Sequence, residues 1–372
     1  MRDRNALGFF EEAANDVEYR ISLDRGLSGS GANHIRRTAI RGATAVISFL
    51  YRSLAVIFTL IVGFVLLIEA QVSGPSFGYL FDADSGKLCP LQGILGSATF
   101  GTPEDSQSEL SGALMLDSNH FIVSSAESPQ LLLLRPGGPS RVAAVIQELP
   151  GNPTMAVSSI QGTAAAFYYA GLHSIKVLTG LPNQPSVAHS IDLADSSGTI
   201  RRMALSKNGE LLLYSAVEGS EDAIYGWSAD TGQSRFLTSI GATGGLAIGD
   251  TGDGYVADER NNAIFAIRNL AGGGSPQFVA GEGEGISRPV GLAVSASNEL
   301  LVANATTGDV SILDSSGHYV NTVPCGCRPN ELTPFRESTF LLTSDVHRAV
   351  FVLDLNQSPP RIVFIPPAKD RP

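Results

Sequence analysis

At 372 residues the chain is long enough for one large domain or two ordinary ones. Its 40 glycines, 20 prolines and 43% hydrophobic share suit many short strands joined by tight turns. Residues 71–372 carry 29 acidic against 17 basic side chains, a balance that serves solubility and argues against a nucleic-acid partner, whose phosphates need a basic face.

The first 42 residues are mostly polar. Leu7, Phe10, Ala14, Val17 and Ile21 recur at helical spacing, which predicts an amphipathic helix from about residue 6 to 23. Its polar faces carry Glu11, Glu12, Asp16 and Glu18, which disfavours anionic lipid. A Gly/Ser stretch, 26–34, follows as a flexible link.

Residues 43–70 are expected to form a transmembrane signal-anchor. Ser53–Ile68 is sixteen residues without a charge, and its flanks extend it to the roughly 20 residues that cross a bilayer. Arg36, Arg37, Arg41 and Arg52 precede the run and Glu69 follows it. The positive-inside rule then places the tail in the cytoplasm and the rest outside. Two alternatives stay open: a signal peptide cleaved after Ala70, and a soluble chain that buries this helix. A linker (71–76), an extracytoplasmic domain (77–366) and a short tail (367–372) complete the expected organisation.

The domain opens with GYLFDADSGKLCPLQGI (78–94), read as a β-hairpin turning on Asp82, Asp84 and Gly86. Its turn lines up with Ser228-Ala-Asp-Thr-Gly232, and more loosely with Asp314–Gly317. Six fuller units follow, with first strands beginning near Ala113, Met155, Met203, Leu246, Leu292 and Leu332. Four strands per unit at a period of roughly 40–45 residues predicts blades of a β-propeller. Near-continuous apolar strands such as Leu131–Leu134 fit sheets buried on both sides. Pro153, Pro289 and Pro329 mark the steps between blades, where no ladder N–H is needed. The fold expected is therefore all-β, a propeller of six or seven four-stranded blades behind one N-terminal transmembrane helix.

Cysteines occur only at 89, 325 and 327. The outer compartment permits disulfides. Cys325 and Cys327 lie close in sequence, so a bridge from Cys89 to one of them is the expected closure of the ring.

Gly245–Ile267 and Gly291–Leu313 resemble NHL-type propeller repeats and the related gluconolactonase/regucalcin-like and YVTN-type propellers. The matching residues are the opening Gly-Leu-Ala and the strand-end pairs Ala257-Asp258 and Ala303-Asn304. The gluconolactonase-like resemblance implies a divalent cation, calcium for choice, held by rim residues of different blades. Asp258, Asn304 and Asp345 are the candidates it points to, with Glu127 also at a rim position. The same Asx residues equally suit the capping of strand ends.

Asp250-Thr-Gly-Asp253-Gly254 lacks the downstream Glu of a calcium loop. The histidines show no metal-ligand spacing, and neither a Gly-x-Ser-x-Gly elbow nor a phosphate-cradling loop is present. His347, beside Asp345, reads as a surface-loop residue, and Trp227 as packing between blades. Together these residues predict a membrane-anchored binding or scaffold module for a protein, glycan or envelope component. The alternative is a metal-dependent hydrolase or lactonase of the gluconolactonase-like kind.

Overall fold

The computed structural model describes residues 76–103, 109–137, 142–193, 198–336 and 338–368. The expected tail helix and membrane anchor lie outside these residues. Among the described residues no helix is long and apolar enough to cross a membrane.

The described chain folds into seven antiparallel sheets, each made of consecutive strands. Blade 1 has three strands, Ser76–Asp82, Lys87–Gln92 and Thr99–Phe100, and blades 2–7 have four each. The six units expected from the sequence are these six blades. Their first strands are Leu110–Asp117, Met155–Ser158, Thr199–Leu205, Thr243–Ile248, Pro289–Val294 and Thr333–Arg336.

Each blade buries both faces of its sheet. The second strand of blade 3, Ala164–Tyr169, is buried at every position, and so is that of blade 6, Leu300–Asn304. One apolar cluster fills the gap between each neighbouring pair of blades around the ring. Trp227, 4% exposed, sits in the cluster between blades 3 and 4 as expected. The last cluster closes the ring: Leu80, Cys89 and Leu91 of blade 1 pack on Phe335, Leu341, Val350 and Val352 of blade 7. Among the described residues no sheet mixes strands from the two ends of the domain. Closure rests on side-chain burial, worth ~1.5–3 kcal/mol per large aliphatic group, and on polar contacts described below.

The repeated Gly-Leu-Ala has a steric cause. A Cβ on Gly245 would lie 2.5 Å from the backbone nitrogen of Leu292, and one on Gly291 would lie 2.6 Å from that of Leu332. Successive first strands approach so closely at these points that only glycine fits.

Blade 1 departs from the other six. Its strand Ser76–Asp82 runs opposite to the first strands beside it. Phe77, near its start, packs at a tilt against Phe335 near the end of blade 7's first strand, with ring centroids 5.4 Å apart. Gly86, just past its end, accepts the N–H of Leu110 at the start of blade 2's first strand. That polarity belongs to second strands. The first strand of blade 7 also touches that of blade 2 directly. Blade 1 therefore corresponds to strands two to four of the others, with no counterpart of their first strand among the described residues.

This corrects the alignment of the Asp82–Gly86 turn. Its counterparts are the second-to-third-strand turns Asp258–Asn262 and Asn304–Gly308, not Ser228–Gly232. In all three, a buried Asp or Asn ends the strand and the fifth residue has positive φ: Gly86 at 62°, Asn262 at 50°, Gly308 at 69°.

The cysteine expectation is corrected as well. Cys325 and Cys327 are bonded to each other, and Cys89 is a free, buried thiol. Gly326, at φ 64°, folds the chain back so that the two Cα atoms stand 4.9 Å apart, inside the range a disulfide spans.

Candidate functional site

The first strands enclose a cavity of about 540 Å³ on the ring axis, reached by residues from all seven blades. Its wall is mostly apolar, with Leu80, Leu114, Met155, Leu246 and Leu292 among its residues. Arg202 and Glu331 are the charged residues on it. Arg202 is exposed and has no side-chain partner among the described residues, whereas its neighbour Arg201 is paired with Asp222 at 2.9 Å. Glu331 accepts the Thr333 hydroxyl through Oε2 at 3.0 Å, while its buried Oε1 has no partner among the described residues. At the opposite end of the axis a second hollow of about 500 Å³ is ringed by first-to-second-strand turns, including Asp117, Gln161 and Asp250.

The predicted rim residues fall on second-strand ends or just beyond, each in a different blade. Asp258 is 2% exposed and its carboxylate is saturated. Oδ2 accepts Gly241 N–H at 2.9 Å and Asn261 Nδ2–H at 2.7 Å; Oδ1 accepts the N–H groups of Ala242, Arg260 and Asn261. Asn304, fully buried, accepts Ser287 N–H and directs Nδ2 at Gly285 O, Asp309 Oδ1 and Ser311 Oγ. Both residues clamp the segment entering their own blade's first strand. Asp345 is exposed, accepts His347 N–H at 2.9 Å and faces Arg348 Nε at 3.3 Å. Calcium takes six to eight oxygen ligands; the Asp258 carboxylate is already filled by its five donor contacts, whereas Asn304 Oδ1 accepts one, the Ser287 N–H, among the described residues. At the Glu127 position, Ser125 Oγ accepts the Glu127 N–H as a local cap. The Asp250–Gly254 loop is likewise a turn: Asp253 accepts Asn269 N–H and pairs with Arg268 at 2.9 Å.

A constellation missed in the sequence lies at the seam between blades 7 and 1. His347, on the loop after blade 7's second strand, places Nε2 at 3.2 Å from Asp82 Oδ1 and 3.6 Å from Asp84 Oδ2. Burial works to raise the Asp82 pKa, but hydrogen bonds from Ser85, the Asp84 N–H and His347 outweigh it and hold the carboxyl below its ordinary value. The hydrogen bond to Asp82, then its charge, raises that of His347. The signal that could have found this site is the alignment of Asp82 with Asp258 and Asn304.

No protein-family model matches the chain, and neither does any curated protein. Among solved structures it is similar to selenomethionine-substituted virginiamycin B lyase from Staphylococcus aureus, at 14% identity, TM-score 0.50, over 72% of this chain and 87% of that one. It is similar also to a streptogramin B lyase, at 13% identity, TM-score 0.51, over 71% and 84%. At such identity the likeness speaks for the fold alone. The protein is a seven-bladed β-propeller, a repeat protein. The NHL-type and gluconolactonase-like resemblance finds no matching family.

Proposed function

We propose that the protein is a membrane-anchored, extracytoplasmic propeller that binds a protein, glycan or envelope component through the axial mouth bearing Arg202 and Glu331. The observation that carries this reading is the cavity itself: about 540 Å³, apolar-walled, with an unpaired guanidinium on its surface. An exposed apolar hollow with few fixed polar groups is the form binding sites take. Saturation of the Asp258 carboxylate by its donors, with the Asn304 amide engaged within its own blade, supports a binding role over metal-dependent hydrolysis. The uncharged run before the ring, with arginines on one side, supports the anchor and its orientation.

Two measurements test it. A photo-crosslinking residue at position 202 should give a discrete adduct in intact cells that the same residue at Phe278, on the outer circumference, does not. Equal labelling at the two positions would remove the axial mouth from consideration. Protease added outside the cytoplasmic membrane should degrade the propeller and spare the tail; protection of the propeller would overturn the topology.

A further inference from the structure

We propose that Asp82, Asp84 and His347 bind one divalent cation of the zinc class, which clasps blade 7 to blade 1 at the seam of the ring. The proposal stands whatever the axial mouth binds.

Geometry is the first support. Zinc bonds to imidazole nitrogen and carboxylate oxygen run ~2.0–2.2 Å, so the edge of such a tetrahedron is about 3.4 Å. The two ligand pairs at His347 Nε2 measure 3.2 and 3.6 Å, and all three ligand atoms lie within 4.8 Å of one another. The two pairs at His347 thus lie within a few tenths of an ångström of that edge, and the third is bounded by 4.8 Å. One nitrogen and two oxygens with a fourth position open to water suits zinc, whereas calcium requires more oxygens.

Comparison among the blades gives a second, separate support. In blades 5 and 6 the Asp or Asn at this position spends its acceptor on N–H groups of the segment entering the first strand: Gly241 and Ala242 for Asp258, Ser287 for Asn304. Among the described residues blade 1 has no first strand, and none of them brings such a segment to Asp82. The carboxylate takes Asp84 N–H and the Ser85 hydroxyl from its own turn. Its remaining capacity faces across the seam to a residue 265 positions away. Asp82 is 6% exposed, and a buried carboxylate requires a compensating partner. The clasp also sits at the closure of the ring, where among the described residues the two ends meet through the apolar seam cluster and the Arg336 guanidinium over the Phe77 ring.

Access and orientation agree. The side chains of Asp84 and His347 are 86% and 45% exposed, so a hydrated ion can reach them. Asp345 holds the His347 backbone N–H at 2.9 Å and steadies its loop. The other close His–Asp pairs, His120 with Asp117 and His318 with Asp314, are local turns joined to no third ligand in a metal-sized group among the described residues.

The test uses the full-length chain in detergent, stripped with chelator and titrated with zinc chloride. About one equivalent should bind at the seam, and the thermal midpoint should rise by roughly 5 °C at a hundredfold excess over Kd. Calcium at the same concentration should not reproduce the rise. Asp84→Asn and His347→Gln should each weaken zinc binding at least tenfold, while His318→Gln and His120→Gln leave it unchanged. The exposure of Asp84 makes its variant safe for folding. No rise with zinc in the parent chain, or zinc binding unchanged in both Asp84→Asn and His347→Gln, would overturn the clasp.

Discussion

Asp258 Oδ2 accepts the backbone N–H of Gly241 at 2.9 Å, across seventeen residues of the same blade. With its four further donors, this carboxylate ties the segment entering blade 5 to the second strand. Asp258→Ala leaves buried N–H groups without an acceptor. The expected loss is about 3 kcal/mol of unfolding free energy by urea titration. The metal content of the protein should not change. A stable Asp258→Ala protein that has lost a stoichiometric metal would instead restore the hydrolase reading.

The contact of Gly245 with Leu292 predicts a second cost. Gly245→Ala drives a methyl group into backbone at 2.5 Å, and Gly291→Ala into Leu332 at 2.6 Å. Each is expected to destabilise the ring by about 1–3 kcal/mol, because the atoms met are backbone and close-packed cores yield little. Gly219→Ala is the informative control for a glycine with no neighbour near its added Cβ. Its effect should arise from its φ of 68° alone. Similar losses in all three variants would show that close approach is not what selects Gly245 and Gly291.

The blades were legible because their signals are local. Strand length, apolar runs and turn glycines repeat every 40–48 residues, and the predicted starts at Met155, Leu246 and Leu292 fall within the observed first strands. The polarity of blade 1 was not legible. An Asp-x-x-x-Gly turn closes a hairpin in the same way whether it joins strands two and three or three and four, and only the neighbouring blades settle which. The rim residues were found but their chemistry was not, since an Asp that caps a strand and an Asp that holds an ion look alike until the donors are placed. His347 and Asp82 are brought together only by closure of the ring, which no local pattern encodes.

The disulfide should contribute little to closure. Cys325 and Cys327 lie in one chain segment after the fourth strand of blade 6, and a three-residue loop gains only about 1.5 kcal/mol in the chain-entropy account. Replacing both with Ser should therefore cost less than about 2 kcal/mol and leave circular dichroism unchanged. A loss of several kcal/mol on reduction would mean that this turn anchors more of blades 6 and 7 than its contacts suggest.

Cys89 carries a pH signature. It is 2% exposed in the seam core. Burial, with the nearby Asp82 charge adding to it, pushes the thiol up to about 11. The unfolded chain releases the same proton near 8.5. The folded state therefore holds the proton more tightly. Its contribution is complete below about pH 8.5 and is lost as pH rises towards 11, by up to about 3 kcal/mol. Cys89→Ala should be less stable than the parent at pH 7.5, having lost a packed sulfur, with the gap closing or reversing by pH 10.5. Thiol-reactive reagents should likewise label the folded protein slowly at pH 8. Parallel stability profiles for the two proteins across this range would mean that Cys89 titrates as it does in the unfolded chain, and that the seam is open to water.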